Sequence, residues 1–246
     1  VEAIASGRSP DCISMVLARP PGHHAFPGHG SGFCLLNNIA IAAMSARRRF
    51  GINRIVIIDW DVHHGNGTQA IFDTDPDVFY ISIHQYPHYP GTGVADDIGG
   101  FVSSGSSQTA TRLNIPLPPG CGDTEYLGAF DEIIIPAVRR YKPELVLVSA
   151  GYDGHWADPL SDTRLSVSGY AAMTQRVKQL AIDCGGPLAL FLEGGYHTGA
   201  LAASVAATLS VLLDDTFDDP IGPPPDKAEP PEIAGLIAKL KSIHQL

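Results

Sequence analysis

The sequence predicts an α/β fold of three layers, with a mostly parallel central sheet carrying helices on both faces. Two observations carry that prediction. Short apolar runs rich in β-branched residues alternate with longer stretches of helical periodicity. Strands buried on both faces between crossover helices have this pattern. The residues that break the apolar runs collect where those runs end, and open parallel sheets bind ligands at the carboxyl ends of their strands.

The expected strands cover residues 13–18, 54–59, 78–83, 145–150 and 188–192, and the expected helices residues 34–50, 124–141, 166–184 and 198–213. The first strand runs into Arg19-Pro-Pro-Gly-His23-His24. The first helix closes on Arg47-Arg48-Arg49, a basic last turn that complements the helix dipole rather than a binding patch. The second strand, Ile55-Val-Ile-Ile58, ends in Asp59-Trp-Asp61-Val-His63-His64. The run 145–150 ends in Gly151-Tyr152-Asp153, and 188–192 in Glu193-Gly-Gly-Tyr196-His197. Residues 218–231, rich in Pro and Asp, read as a linker to an amphipathic helix over 232–246 that packs back on the body. Val1-Glu-Ala-Ile-Ala-Ser6 reads as the tail of a helix.

Composition narrows the function. The chain has 246 residues, 44% of them hydrophobic and 17% charged, enough for one sizeable core. A net charge of −10 disfavours direct nucleic-acid binding and favours encounter with basic partners. Four widely spaced cysteines without a CxxC argue against a disulfide framework and an all-thiolate zinc site. They suit a reducing, cytoplasmic setting. No apolar stretch is long enough to span a membrane.

The most informative segment is 59–64. In an extended chain residues i and i+2 face the same side, so Asp59, Asp61 and His63 share a direction, and carboxylate oxygen and imidazole nitrogen are both zinc ligands. The adjacent imidazoles His23 and His24 suit proton transfer near neutral pH. Read alone, each cluster has a blander reading, a strand end or surface loop carrying solvated side chains. Together, four polar clusters at four strand ends form one convergent constellation.

These segments, with Gly32-Phe-Cys34, Asn37-Asn38, Gly65-Asn-Gly67 and Pro90-Gly-Thr-Gly93, resemble the histone deacetylase family, within the arginase/deacetylase fold. The resemblance runs from Arg19 to about Leu213. Asp-Trp-Asp-Val and Asn66 are similar to the class II branch and its bacterial relatives. It implies one catalytic zinc held by Asp61, His63 and Asp153, and a structural potassium held by Asp59, Ser82 and the carbonyls of Asp61 and His63. It implies His24 as general base and then acid, oriented by Asn66, and His23 as an electrostatic partner oriented by Asp59. Tyr196 would donate to the developing oxyanion. Gly32 and Phe33 would line a substrate channel opposite Tyr89 or His88, with Gly151, Leu160 and Gly195 beside it. Leu160 stands where the polyamine-preferring branch carries Glu, which favours a neutral or peptide-borne acyl-lysine.

The expected substrate is therefore an acetylated lysine in a peptide or a small acylated amine, hydrolysed at the amide. Residues 1–246 read as a single deacetylase-like domain shortened at its N-terminus, with an open strand edge compatible with a homo-oligomer. The alternatives are an acetylpolyamine amidohydrolase, an inactive acyl-lysine-binding fragment, and a two-manganese hydrolase of the arginase kind. The last needs more Asp ligands than a single Asp-x-Asp-x-His and Asp153 supply. Iron suits the carboxylate–imidazole set as well as zinc.

Overall fold

The computed structural model describes residues 9–99, 101–104, 107–225 and 229–246. The suggested helix tail at residues 1–6 lies outside them, as do residues 226–228 of the Pro-rich stretch. One six-stranded parallel sheet dominates: β1 (Ile13–Val16), β2 (Ile55–Asp59), β3 (Val78–Gln85), β6 (Arg112–Leu117), β7 (Leu145–Ala150) and β8 (Leu188–Leu192), in the order β1-β8-β7-β2-β3-β6. A separate antiparallel hairpin joins β4 (Phe101–Ser104) to β5 (Ser107–Ala110).

Alternate residues of the central strands feed two cores. On one face Ile55, Ile57 and Leu147 meet Ile39, Ala43 and Ala46 of helix α1 (Asn38–Phe50). On the other, Val56, Ile58 and Val148 meet Met173, Val177 and Leu180 of α5 (Val167–Cys184). The predicted three layers result, with β2 and β7 buried along their whole length.

Differences from the sequence reading have local causes. Helix α1 begins at Asn38 rather than at 34 because the Asn37 side chain caps it, accepting from the Ala40 N–H at 3.0 Å. Residues 31–36 instead turn sharply, with Phe33 at φ 66°. The helix expected over 124–141 is broken into α3 (Asp123–Ala129), a π-turn (Phe130–Ile134) and α4 (Ile135–Tyr141). Pro136 has no N–H to donate back into the preceding turn, so the backbone widens there. Strand β6 is not among the expected strands because Pro116 argues against one, and at the sheet edge the proline is tolerated. The hairpin is too polar, and α2 (Asn66–Ile71) too short, to signal itself.

Helix α6 (Thr198–Leu212) follows β8, and α7 (Ala234–His244) lays Ile237 and Leu240 into the larger core. The described part of the Pro-rich stretch is also seated on the body. Phe217 and Ile221 pack on Val167 and Ala207, and the Trp156 indole donates to the Gly222 carbonyl at 2.9 Å.

Candidate metal centre and active site

Strand β2 delivers three side chains. Asp59, at its last position, is fully buried. One of its oxygens accepts from Tyr80 Oη at 2.8 Å and lies 3.1 Å from His23 Nδ1, and the other accepts the Asp61 N–H at 3.1 Å. Asp61 and His63 continue beyond the strand, and Asp153 arrives three residues past β7. His63 Nδ1 stands 3.1 Å from both Asp61 Oδ1 and Asp153 Oδ2. The three ligand atoms lie within 4.8 Å of one another, and among the described residues this is the single group of its kind.

The carboxylates are held from behind. Asp61 Oδ2 accepts the Gly194 N–H at 2.8 Å, and Asp153 Oδ1 accepts the Val62 N–H at 3.0 Å. Positions 151 and 194 must be glycine, since a Cβ at 151 would run into Asp61 and one at 194 into Asp153.

The electrostatics call for a cation. Burial would lower the pKa of His63, yet Asp153 and Asp61 outweigh it and raise it to about 10. Burial and the neighbouring Asp61 push Asp153 up to about 6. Burial would raise Asp61, but His23 and His63 hold it well below the usual carboxylate range. Two buried carboxylates and one imidazole nitrogen, converging without a lysine or arginine between them, fit a divalent ion of borderline softness such as zinc.

The loop after β1 places the two imidazoles. Their ring centroids are 4.0 Å apart. Burial would lower His23, but Asp61 and Asp59 outweigh it and hold it charged. Burial first, and then the charge on His23, lower His24 to about 3, so His24 is neutral at neutral pH. His24 Nδ1 lies 2.8 Å from Asn66 Oδ1. In the tautomer that donates Nδ1–H to that oxygen, Nε2 carries the lone pair.

A pocket of about 450 Å³ opens over this floor, lined by both imidazoles, His63, Phe33, Tyr89 and Tyr196 among others. Of the residues expected beside a channel, Gly32, Phe33, Tyr89 and Leu160 line it. Gly151 and Gly195 do not. Gly151 is buried against Asp61 and Gly195 faces Leu201, whereas Gly194 reaches the pocket surface. His88 also lines it, stacked on His63 with centroids 4.9 Å apart and donating from Nε2 to the Leu160 carbonyl at 2.9 Å. Tyr196 is 37% exposed, with its ring 5.9 Å from that of Phe33. Burial pushes its phenol further up, so it stays a donor. Burial pushes the nearby Cys34 thiol up to about 11, which removes it as a nucleophile at neutral pH. Ser82 is the register neighbour of Asp59 on β3, its hydroxyl 2.9 Å from His84 Nδ1. A larger groove of about 950 Å³ beside α1 is mostly apolar and contains none of these residues.

Sequence reading assigned no role to several residues that shape the site. Tyr80 donates to Asp59. Asp158 Oδ2 accepts the N–H groups of Tyr196 and His197 at 2.6 and 3.0 Å. Glu193 accepts from Gly22 and His23. Of these only Glu193, an acidic residue directly after a strand, stands out in the sequence, and its partners there do not. Four histidines to which the sequence gives no role have structural contacts: His197 caps α6, His84 lies 3.0 Å from the Gly93 carbonyl, His29 stacks on Phe26, and His155 Nδ1 accepts the Ala157 N–H at 3.1 Å.

Comparisons with known proteins agree with this geometry. A family model described as "Histone deacetylase domain" matches residues 1–212. "Histone deacetylase 14, chloroplastic" of Arabidopsis thaliana is 45% identical over 238 residues, covering 95% of this chain and 55% of that protein. "Polyamine deacetylase HDAC10" of Mus musculus is 41% identical over 221 residues, covering 87% of this chain and 32% of that protein. The crystal structure of the HDA15 HD domain superposes with a TM-score of 0.83 at 38% identity, covering 99% of this chain and 65% of that one. The chain thus spans about half or less of the length of these curated relatives. Among the described residues no helix is long and apolar enough to cross a membrane, and there is no disulfide.

Proposed function

The chain belongs to the histone deacetylase family, and on that premise we propose that it hydrolyses the acetyl amide of acetyl-lysine in peptides or proteins. The observation that carries this reading is that His63, which meets the buried Asp61 and Asp153, lines one pocket together with His24 and Tyr196. Asp61, His63 and Asp153 would hold the zinc, which supplies Lewis acidity to the acyl carbonyl and to the attacking water. A potassium ion beside it at Asp59, Ser82 and the carbonyls of Asp61 and His63 is part of the same reading.

The chain's own residues supply the rest. His24, neutral and turned by Asn66, takes the proton of the attacking water at Nε2 and returns it to the leaving amine. His23, held by Asp59, keeps positive charge beside it and so keeps His24 from protonating early. The Tyr196 hydroxyl donates to the oxygen on which charge develops. Phe33, Tyr89 and His88 enclose an aliphatic stem with an amide at its tip, which suits acetyl-lysine.

A second reading is an amidohydrolase of a small acylated amine. The relative named a polyamine deacetylase favours it, and the apolar Leu160 at the pocket mouth weighs against a cationic substrate. A non-catalytic acyl-lysine binder fits less well, because both imidazoles, the three ligand residues and Tyr196 are all retained. Among the described residues no disulfide is found, which suits a reducing compartment, cytoplasmic or, as the relative's name suggests, chloroplastic.

The test is hydrolysis of an acetyl-lysine peptide by chelator-stripped protein before and after zinc is restored. Turnover that returns with zinc supports the reading. Absence of turnover in protein holding one zinc per chain shifts the reading to another acyl substrate or to a binding role.

A further inference from the structure

The loop that carries both imidazoles has few backbone donors. Pro20 and Pro21 have no N–H. The next two N–H groups, those of Gly22 and His23, converge on one oxygen of Glu193, at 2.6 and 3.1 Å. The other Glu193 oxygen accepts from Ser149 Oγ at 3.0 Å. Glu193 itself is 7% exposed and locked to the sheet, its own N–H donating to the Ala150 carbonyl at 3.1 Å. One carboxylate therefore spans three segments: the end of β8, the end of β7 and the imidazole loop. The loop has little slack on its other side, where a Cβ at position 22 would press on the backbone of Leu36 and Asn38.

We infer that Glu193 is a positioning residue for the proton-transfer pair: it fixes the backbone of Gly22 and His23, and through it the rings of His23 and His24. It touches neither substrate nor reacting atoms. Removing it takes from two buried N–H groups the one acceptor that ties them to the sheet; a water entering the vacated space would satisfy them without that tie, and the loop is then free to shift. A shift of that loop changes the reach of His24 Nε2 while Asp61, His63 and Asp153, held by other bonds, keep their places.

The kinetic part of the test rests on the deacetylase reading and the spectroscopic part does not. In Glu193→Ala, kcat on an acetyl-lysine peptide is expected to fall roughly 10–100-fold, with KM within about twofold and bound zinc unchanged, since a catalytic group displaced by an ångström costs about that much. Amide hydrogen exchange of Gly22 and His23, measured by NMR without substrate, is expected to speed up at least about tenfold as local protection is lost. Glu193→Gln keeps an oxygen toward both N–H groups and can turn its amide toward Ser149 Oγ. It is expected to restore both readouts to within about fivefold of the parent.

Parental exchange and kcat in folded Glu193→Ala would overturn the inference. So would a Glu193→Gln variant with parental amide protection but the kcat of Glu193→Ala, because charge and not position would then be acting. If the parent hydrolyses no acetyl amide, the proposed function fails, and the exchange rates alone decide whether the clamp exists. If Glu193→Ala does not fold, Glu193→Asp, one methylene too short to span the gap, takes its place.

Discussion

The floor and the rim of the pocket are built differently. The floor residues Asp59, Asp61, Asp153 and His23 are at most 2% exposed, and each side chain bonds to at least one group fixed by the sheet or its end-loops. The rim residues Phe33, Tyr89, Leu160 and Tyr196 are 37–73% exposed and sit on loops. Placement at the floor is set by strand ends, and at the rim by loop packing. Under the proposed function the difference amounts to a division of labour: chemistry would rest on parts that cannot move independently, and choice of substrate on parts that can be exchanged.

Substitutions can break that comparison. The largest effect is expected at the floor, where Asp153→Ala should abolish zinc binding outright, read as metal content after dialysis. A variant that keeps one zinc per chain would remove Asp153 from the ligand set. His24→Ala should lower kcat by about 10²–10⁴ at neutral pH, more than His23→Ala does. Equal rates for the two at every pH would end the distinction drawn between the imidazoles.

Tyr196 belongs to both regions, exposed like the rim yet tethered through its N–H to Asp158. Tyr196→Phe should keep zinc and lose about 10²–10³ in kcat, roughly 3–4 kcal/mol. Parental kcat in that variant would leave the oxyanion without its assigned donor. The smallest effect is expected at the outer rim. Leu160→Glu should leave kcat on the peptide within about twofold while shifting preference toward an acetylated polyamine by about tenfold, 1.4 kcal/mol. A loss of zinc in that variant would show the two regions to be coupled.

The same division explains what was legible in the sequence. Period and composition revealed the buried strands β2, β3, β7 and β8 and the helices over them, because burial on both faces writes itself as continuous apolar runs. The residues that meet at the floor were readable because carboxylates and imidazoles at the ends of such runs have no packing use. What stayed hidden depends on contacts distant in sequence. Glu193 meets Gly22 across 171 residues and Asp158 meets Tyr196 across 38, and no local pattern encodes either. The break at Phe130–Ile134 was hidden for the opposite reason, since the amphipathic pattern runs through it and only Pro136 marks it.

The parallel pairing of β2 with β7 has one more implication. Both strands are aliphatic on both faces, so hydrophobicity alone would tolerate a slip of one residue between them. Such a slip would carry Asp153 about 3.3 Å along the strand relative to Asp61 and turn it to the opposite face. The observed pairing, Ile55 with Leu145 through Asp59 with Ser149, is the alignment that brings the three ligand atoms within 4.8 Å. On the proposed reading, metal loading would therefore serve as an inspection of assembly: in a preparation of refolded chains, the fraction that loads one ion would count the molecules whose central strands are aligned, as against misassembled forms that circular dichroism and a buried core would pass as native.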